Sequence, residues 1–151
     1  IADDVAGVAR HGIYSVLAAA ELAVDRGHYT VREMDVDDAY DVAREWMRQA
    51  ALDSLSFHHH LLYALVRDAG EIDGETLHDR YDAVADRAYD GRSRTPLAER
   101  SQRRKLRKLD EYDLVERLGS TRDRRYAVID QSVRSGYDID LSRVLQSGLQ
   151  D

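Results

Sequence analysis

The spacing of hydrophobic residues in this 151-residue chain changes near residue 113, and this change limits the folds available to it. Up to Tyr112 the apolar residues recur at intervals of three and four, which is the period of an amphipathic helix. Over residues 114–118 and 126–129 the period shortens to about two, which is typical of strands. Residues 119–125 are rich in Gly, Ser, Thr and Asp, which predicts a turn between the strands. We therefore expect a mainly helical chain with one small β-hairpin.

Five helices are expected before the hairpin. Residues from about 9 to 25 form an amphipathic helix that Gly27 ends, with an apolar face made of Ile13, Val16, Leu17, Ala20 and Val24. The other four are expected over residues 36–50, from the break at 53–56 to Gly70, around residues 77–88 up to Gly91, and over residues 95–112. Thr95 would cap this last helix, with Pro96 in its first position. A further short helix is expected over residues 138–149.

The break at residues 53–56 predicts a domain boundary near 51–56. This boundary divides the chain into a helical segment, residues 1–52, and a second domain, residues 53–151. Within the second domain, three helices followed by a hairpin is the element order of a winged helix-turn-helix. The expected fold class is therefore mainly α, with a helical segment followed by a winged helix that has a small hairpin wing.

Positive charge is concentrated in one short segment. The whole chain has a net charge of −7, yet residues 92–108 contain eight cations and one acid. On the helix expected over residues 95–112, the apolar Ala98, Leu106, Leu109 and Tyr112 fall on one side. The opposite side carries Arg100, Arg103, Arg104, Arg107 and, further round, Lys108. Such an unmixed cationic face favours binding of a polyanion over an ordinary solvated surface.

The position of this helix in the chain indicates DNA as the polyanion. In helix-turn-helix proteins the last helix before the hairpin lies in the major groove, where Arg binds phosphates or pairs with guanine. The turn adds Arg122, Arg124 and Arg125, which suit the narrow minor groove. Taken alone, these three arginines are equally typical of a hairpin kept soluble by charge.

The residues predict neither a catalytic site nor a metal site. The chain has no Cys, which excludes disulfides, thiol catalysis and Cys-type zinc sites. His58, His59 and His60 are consecutive, so their rings lie about 100° apart on a helix and cannot converge on one ion. We expect them to form a polar helix start over the core. The acidic pairs at residues 3–4 and 37–38 are expected to be solvated, because no neighbour would shift their pKa values.

Composition bears on the cellular setting. No apolar run approaches the ~20 residues of a membrane span, and residues 1–10 lack the pattern of a signal peptide, so a cytoplasmic protein is expected. Lys105 and Lys108 are the only lysines among 22 cations, and Asp far outnumbers Glu. This usage is typical of proteins from salt-loving cells and also of GC-rich genomes, and both explanations stay open.

Both halves of the chain resemble a single family. Gly7-Val8-Ala9-Arg10, the helix ending at residues 19–23, and the later Gly27, Val31 and residues 36–39 resemble the lid of archaeal replication initiators. These initiators are AAA+ ATPases of the origin recognition complex/cell division control protein six type, whose lid carries a Gly-Asp-Ala-Arg motif. Val8 stands where the family has Asp. The second half resembles the winged helix of the same family at Leu77, Tyr81, Pro96, Leu97, Arg100, Leu106, Leu109, Leu114 and Val115.

The resemblance implies a role in DNA replication. Arg10 matches the family's sensor-two arginine, which reaches the triphosphate bound on the AAA+ core. That core would precede Ile1, so the chain is expected to be a non-enzymatic C-terminal fragment, with ATP and magnesium belonging to the full-length protein. The implied partners are double-stranded origin DNA and the replicative helicase, and a monomer is expected off DNA.

Two other classes of protein remain open at this point. A winged-helix transcription regulator that dimerises through its N-terminal helices would form a two-fold dimer on a palindromic site. A purely helical protein-interaction module would bind no DNA. The initiator fragment should instead be a monomer that reads an asymmetric half-element, so light scattering with and without DNA would separate it from the regulator.

Overall fold

A computed structural model of the chain describes residues 2–142, with side chains from residue 7 onward. The chain divides into two compact units, residues 1–50 and 51–151. The described residues are mainly helical, with one small antiparallel sheet, which confirms the expected class in its broad terms.

The first unit is a pair of long helices, α1 (Ala2–Asp25) and α2 (Glu33–Asp53), of which α2 continues into the start of the second unit. Ala18 and Ala19 of α1 pack on Ala39 of α2, and Leu22, Val42 and Trp46 surround this contact. Alanine side chains are short, so the two helices can approach closely along this seam. Helix α1 ends at Asp25, close to the expected end at Gly27. Gly27 has a φ of 71°, and glycine tolerates this left-handed conformation.

The apolar face of α1 predicted from the sequence is not its packed face. Ile13, Val16 and Val24 are 68%, 72% and 74% exposed, Leu17 is 49% exposed, and Ala20 is only half-buried. The prediction was wrong because apolar residues occur around most of the helix, and α2 packs against the alanines rather than the larger side chains. A broad apolar surface of α1 is therefore left exposed in this chain.

A buried carboxylate fixes the connection between α1 and α2. Asp35 is fully buried and accepts hydrogen bonds from the side chains of Arg26 and His28 and from the Arg32 amide, each at 2.9 Å. Burial by itself would raise the pKa of Asp35, but these bonds outweigh it and lower the pKa to about 2. The stabilisation is therefore present above about pH 4 and is lost as the pH falls toward 2. Sequence reasoning missed this cluster because its members are up to nine residues apart along a turn.

The second unit contains three helices and three strands. They are α3 (Phe57–Ala69), β1 (Glu71–Asp73), α4 (Gly74–Tyr89), α5 (Glu99–Glu111), β2 (Val115–Leu118) and β3 (Arg125–Val128). The strands form an antiparallel sheet in the order β1-β3-β2, so the predicted hairpin is present. Strand β1 was not predicted, because three residues are too few to show a period. Its register pairs Ile72 with Tyr126.

The core of the second unit lies between the three helices and the sheet. Leu61, Leu62 and Leu65 of α3 are at most 1% exposed, and Leu109 of α5 and Val115 of β2 are completely buried against the same cluster. Gly119 starts the hairpin turn with a φ of 74°, and a Cβ there would collide with the Asp123 carbonyl oxygen. The turn therefore requires glycine at this position.

The helix expected over residues 95–112 begins later than the Thr95-Pro96 signal predicted. Ala98 is the N-cap, and its carbonyl accepts the amides of Ser101 and Gln102 at 2.9 and 3.0 Å. Ala98 itself has an extended backbone, and the backbone N–H and carbonyl of the preceding Leu97 both bond to side chains rather than within the helix. The helix expected over residues 138–149 is absent from residues 138–142, and its remainder lies outside the described residues.

Candidate nucleic-acid interface

Helix α5 separates its apolar and cationic residues as the sequence indicated. Leu106 is 4% exposed and Leu109 is fully buried. Ala98 and Tyr112, which were also predicted on the apolar side, are exposed at the two ends of the helix. The cationic side is exposed and presents Arg100, Arg103, Arg104 and Arg107. Lys108 is half-buried, with its ammonium 4.7 Å from the centre of the Tyr112 ring. The exposed surface of the helix is thus dominated by guanidinium groups.

The structure brings the arginines of α5 and of the hairpin to one cleft of about 1020 Å³. Helix α5 contributes Arg103 and Arg107, and the hairpin contributes Arg117, Arg122, Arg124 and Arg125. Arg117 was not among the predicted residues, although its place in the strand next to the arginine-rich turn was a signal that could have found it. Two predicted groups of cations that are far apart in sequence therefore face one concave surface.

The three arginines predicted at the hairpin turn differ in their surroundings. Arg122 is exposed within the turn. Arg124 is half-buried, and its carbonyl accepts the Gly74 amide of α4 at 2.9 Å. Arg125 belongs to strand β3 and forms an ion pair with Glu71 of β1. Of the three side chains, Arg122 is therefore the one placed to reach beyond the sheet.

Acidic residues also line this cleft. Asp73 is the last residue of β1 and the N-cap of α4, and Glu75 and Asp79 follow in α4. Glu99 comes from the start of α5 and Asp123 from the hairpin turn. Glu99 forms an ion pair with Arg103 one turn along the helix. Within the described residues no ion pair involves Arg100, Arg104 or Arg107. These three arginines, rather than Arg103, form the uncompensated cationic surface of α5.

Two further arginines from the sequence analysis lie elsewhere. Arg10 is exposed on α1 in the first unit. Arg92 belongs to the cationic segment but stacks its guanidinium on the Phe57 ring, 3.9 Å from the ring centre, with Tyr137 at 5.1 Å. Arg92 therefore packs against aromatic side chains and is not part of the α5 surface.

The three consecutive histidines are buried rather than forming a polar surface over the core. The Nδ1 atoms of His58, His59 and His60 lie 2.7, 2.9 and 2.7 Å from hydroxyls of Tyr89, Ser56 and Ser135, respectively. Burial lowers the pKa of all three, that of His59 to about 4. Among the described residues no group of three or more His, Cys, Asp or Glu side chains could hold a metal ion.

None of the described helices is both long enough and apolar enough to span a membrane.

Comparison with known proteins identifies the family. No family model matches the sequence. A protein of Halobacterium salinarum described as ORC1-type DNA replication protein 9 is 31% identical over 135 residues, which are 89% of this chain and 36% of that protein. Two solved structures of the Aeropyrum pernix ORC2 protein are also similar. The structure described as ADPNP-ADP complexes matches 90% of the chain, and the structure of the ADP form matches 91%. Their identities are 19% and 18% and their TM-scores 0.47 and 0.44, and each match covers 32% of the solved chain.

The class that the Halobacterium match supports is that of DNA replication proteins of the origin recognition complex type. The sequence match to the Halobacterium relative, over 89% of this chain, supports the archaeal ORC/Cdc6 family and confirms the resemblance seen in the sequence. It spans about a third of the length of the Halobacterium relative, of which it covers 36%.

Proposed function

We propose that this chain is the lid and winged-helix part of a DNA replication initiator, and that residues 53–151 bind double-stranded origin DNA. The observation that carries the proposal is the exposed row of arginines on α5, next to an arginine-bearing hairpin, in a protein whose net charge is −7. A local concentration of cations in an acidic protein favours binding of a polyanion in one orientation.

The order of elements in the second unit supports the proposal of a winged helix. Helix α5 is the last helix before the hairpin, and in this fold that helix enters the major groove. Arg100, Arg104 and Arg107 would then bind phosphates or the guanine edge, and Arg122 of the turn would reach the adjacent minor groove.

The first unit is proposed to act as the lid of an AAA+ ATPase. Most of the exposed large apolar side chains of the described residues belong to α1, α2 and the turn between them. This surface suits packing against the ATPase core of the full-length protein, where Arg10 would approach the triphosphate of bound ATP and its magnesium ion. Loading of the replicative helicase would then be an activity of the full-length protein rather than of this chain.

The proposal is tested by titrating the chain into a short fluorescein-labelled duplex over a series of salt concentrations. We expect binding at low salt, a logarithm of the binding constant that falls linearly with that of the salt concentration, and little binding near 1 M salt, where the screening length is about 3 Å. Affinity that is absent at low salt, or independent of salt, would contradict the proposal.

Light scattering of the same samples distinguishes the second candidate function. The exposed apolar surface of α1 and α2 is also what a dimerising transcription regulator would need. A monomer off DNA that binds as one copy supports the initiator. A stable two-fold dimer that binds a palindrome would support the regulator instead.

A further inference from the structure

The start of the cationic helix is held by buried polar groups. The backbone N–H of Leu97, two residues before α5, donates to the hydroxyl of Tyr81 at 2.9 Å. The carbonyl of the same residue accepts the side-chain amide of Gln102 at 2.9 Å. Tyr81 and Gln102 are 0% and 2% exposed. Both backbone groups of Leu97 are thus bonded to side chains that are themselves fixed by packing.

These bonds continue into the core of the second unit. The hydroxyl of Tyr81 lies 2.8 Å from that of Tyr89, which in turn lies 2.7 Å from Nδ1 of His58 on α3. On the other side, the Oε1 atom of Gln102 lies 3.2 Å from Nδ1 of His78 on α4. Three helices are therefore connected through polar side chains to the single residue Leu97.

The donor and the acceptor in each of these hydrogen bonds can be assigned from the Leu97 N–H at one end and the His58 ring at the other. The N–H of Leu97 can only donate, so the Tyr81 oxygen accepts it. If the Tyr81 hydroxyl then donates to Tyr89, and Tyr89 donates to Nδ1 of a neutral His58, every donor has an acceptor. The reverse direction would leave the Tyr81 hydroxyl proton without an acceptor in a fully buried position, which is costly. Burial lowers the pKa of His58, helped by the nearby Arg94 and Lys105, and this keeps the ring neutral.

The arginines of α5 depend on this anchor to different degrees. Leu106 and Leu109 fix the second half of the helix by burial in the core. The first turn has no large buried apolar side chain, since its members are Glu99, Arg100, Ser101 and Gln102. Its position is set by Gln102, by Leu97, whose side chain also packs on the core, and by a contact of 3.9 Å between Glu99 and His78. Arg100 lies in this turn and is therefore the guanidinium most affected by loss of the hydrogen bonds.

We propose that Tyr81 and Gln102 are positioning residues for DNA binding, which hold the first turn of α5, and with it Arg100, against the duplex through Leu97. This inference rests on the proposed function and adds residues that do not themselves contact DNA. Tyr81 and Gln102 are uncharged, so replacing either one by another uncharged residue leaves the charge of the interface the same. An effect of such a substitution on DNA binding would therefore come from the placement of Arg100.

The test uses Tyr81→Phe, which removes one hydroxyl, and Tyr63→Phe as its matched control. Tyr63 is 1% exposed and donates to the Val133 carbonyl at 2.7 Å, a contact that involves no residue of α5. Both variants lose a buried hydrogen bond and are expected to lower the melting temperature of the fold. Binding to a labelled duplex is measured well below that temperature, where both variants are folded.

We expect Tyr81→Phe to make the salt dependence of binding shallower by about one unit, as if Arg100 no longer held its phosphate, and Tyr63→Phe to leave it unchanged. Combining Tyr81→Phe with Arg100→Ala should add little to either change alone, since both act on the same interaction. Gln102→Met provides a second variant with the same expected result, should Tyr81→Phe not fold.

The outcomes separate the two proposals. Absence of salt-dependent binding by the unaltered chain overturns the proposed function and this inference together. Normal binding by the unaltered chain, with effects of Tyr81→Phe and Gln102→Met that match those of Tyr63→Phe or that add fully to Arg100→Ala, overturns only the positioning role.

Discussion

Replacing Arg104 or Arg107 by Ala is expected to weaken binding to duplex DNA and to make its salt dependence shallower by about one unit for each residue. The physical reason is that each arginine bound to a phosphate releases condensed counterions. Removing one arginine therefore makes the slope of the logarithm of the binding constant against that of the salt concentration shallower by about one unit. Both side chains are exposed on α5, and no ion pair among the described residues involves them. The slope measured over a salt series with a labelled duplex shows how many phosphates each variant still neutralises.

Arg44→Ala is the matched control for this prediction. Arg44 is also an exposed arginine on a helix, but it belongs to α2 of the first unit. The Arg44→Ala substitution removes the same charge from the chain as Arg104→Ala or Arg107→Ala, so a general electrostatic effect would lower the affinity for DNA equally in all three variants. If Arg104→Ala and Arg107→Ala retain the slope of the unaltered chain, or match Arg44→Ala, the cationic face of α5 is not the DNA interface.

Lowering the pH from about 6.5 to 4 is expected to reduce the free energy of unfolding of the second unit steeply. The pKa of His59 is about 4 in the folded chain, and burial also lowers the pKa values of His58 and His60. In this window the unfolded chain binds protons that the folded chain does not, so stability falls as the pH falls. His59 alone would contribute up to about 1.4 kcal/mol per pH unit, and the lowered pKa values of His58 and His60 act in the same direction. Urea unfolding followed by the tyrosine signal in near-ultraviolet circular dichroism measures this slope.

His59→Gln tests whether the buried histidines cause that slope. The amide keeps a hydrogen-bonding group near Ser56, which lies 2.9 Å from Nδ1 of His59, but it does not titrate. The slope should fall by about one proton, or about 1.4 kcal/mol per pH unit. A slope that is equally steep in the variant would mean that groups other than His59 take up the protons.

The parts of the fold that the sequence predicted are those with a long, regular pattern. The hairpin and the cationic face of α5 follow from residue spacing alone, because burial of Leu106 and Leu109 leaves one possible direction for the arginines. Strand β1 could not be predicted, since it exists only through pairing with β3. The packed face of α1 could not be predicted either, because the choice between alanines and larger apolar residues is made by α2.

The candidate site was predicted in its residues but not in its arrangement. Spacing identified the arginines of α5 and of the turn, and the i, i+4 spacing of Glu99 and Arg103 would also have predicted their ion pair. The ion pair of Arg125 with Glu71 could not be predicted, because it joins β3 to β1 in the folded sheet. The later start of α5 was also hidden, because the bond between Leu97 and Tyr81 joins residues 16 positions apart. A capping signal such as Thr95-Pro96 describes local preference, and here the tertiary contact prevails.

The strand order of the sheet determines whether the hairpin or the DNA duplex would change shape on the proposed interface. Strand β3, which carries the hairpin, lies between β1 and β2, and β1 directly joins α3 to α4. The base of the hairpin is therefore fastened to the helical body and cannot swing independently to follow a groove. On the proposed interface, the duplex itself would have to bend or adjust its groove width to meet both α5 and the turn. Base steps that deform easily would then favour binding even at positions that no side chain contacts.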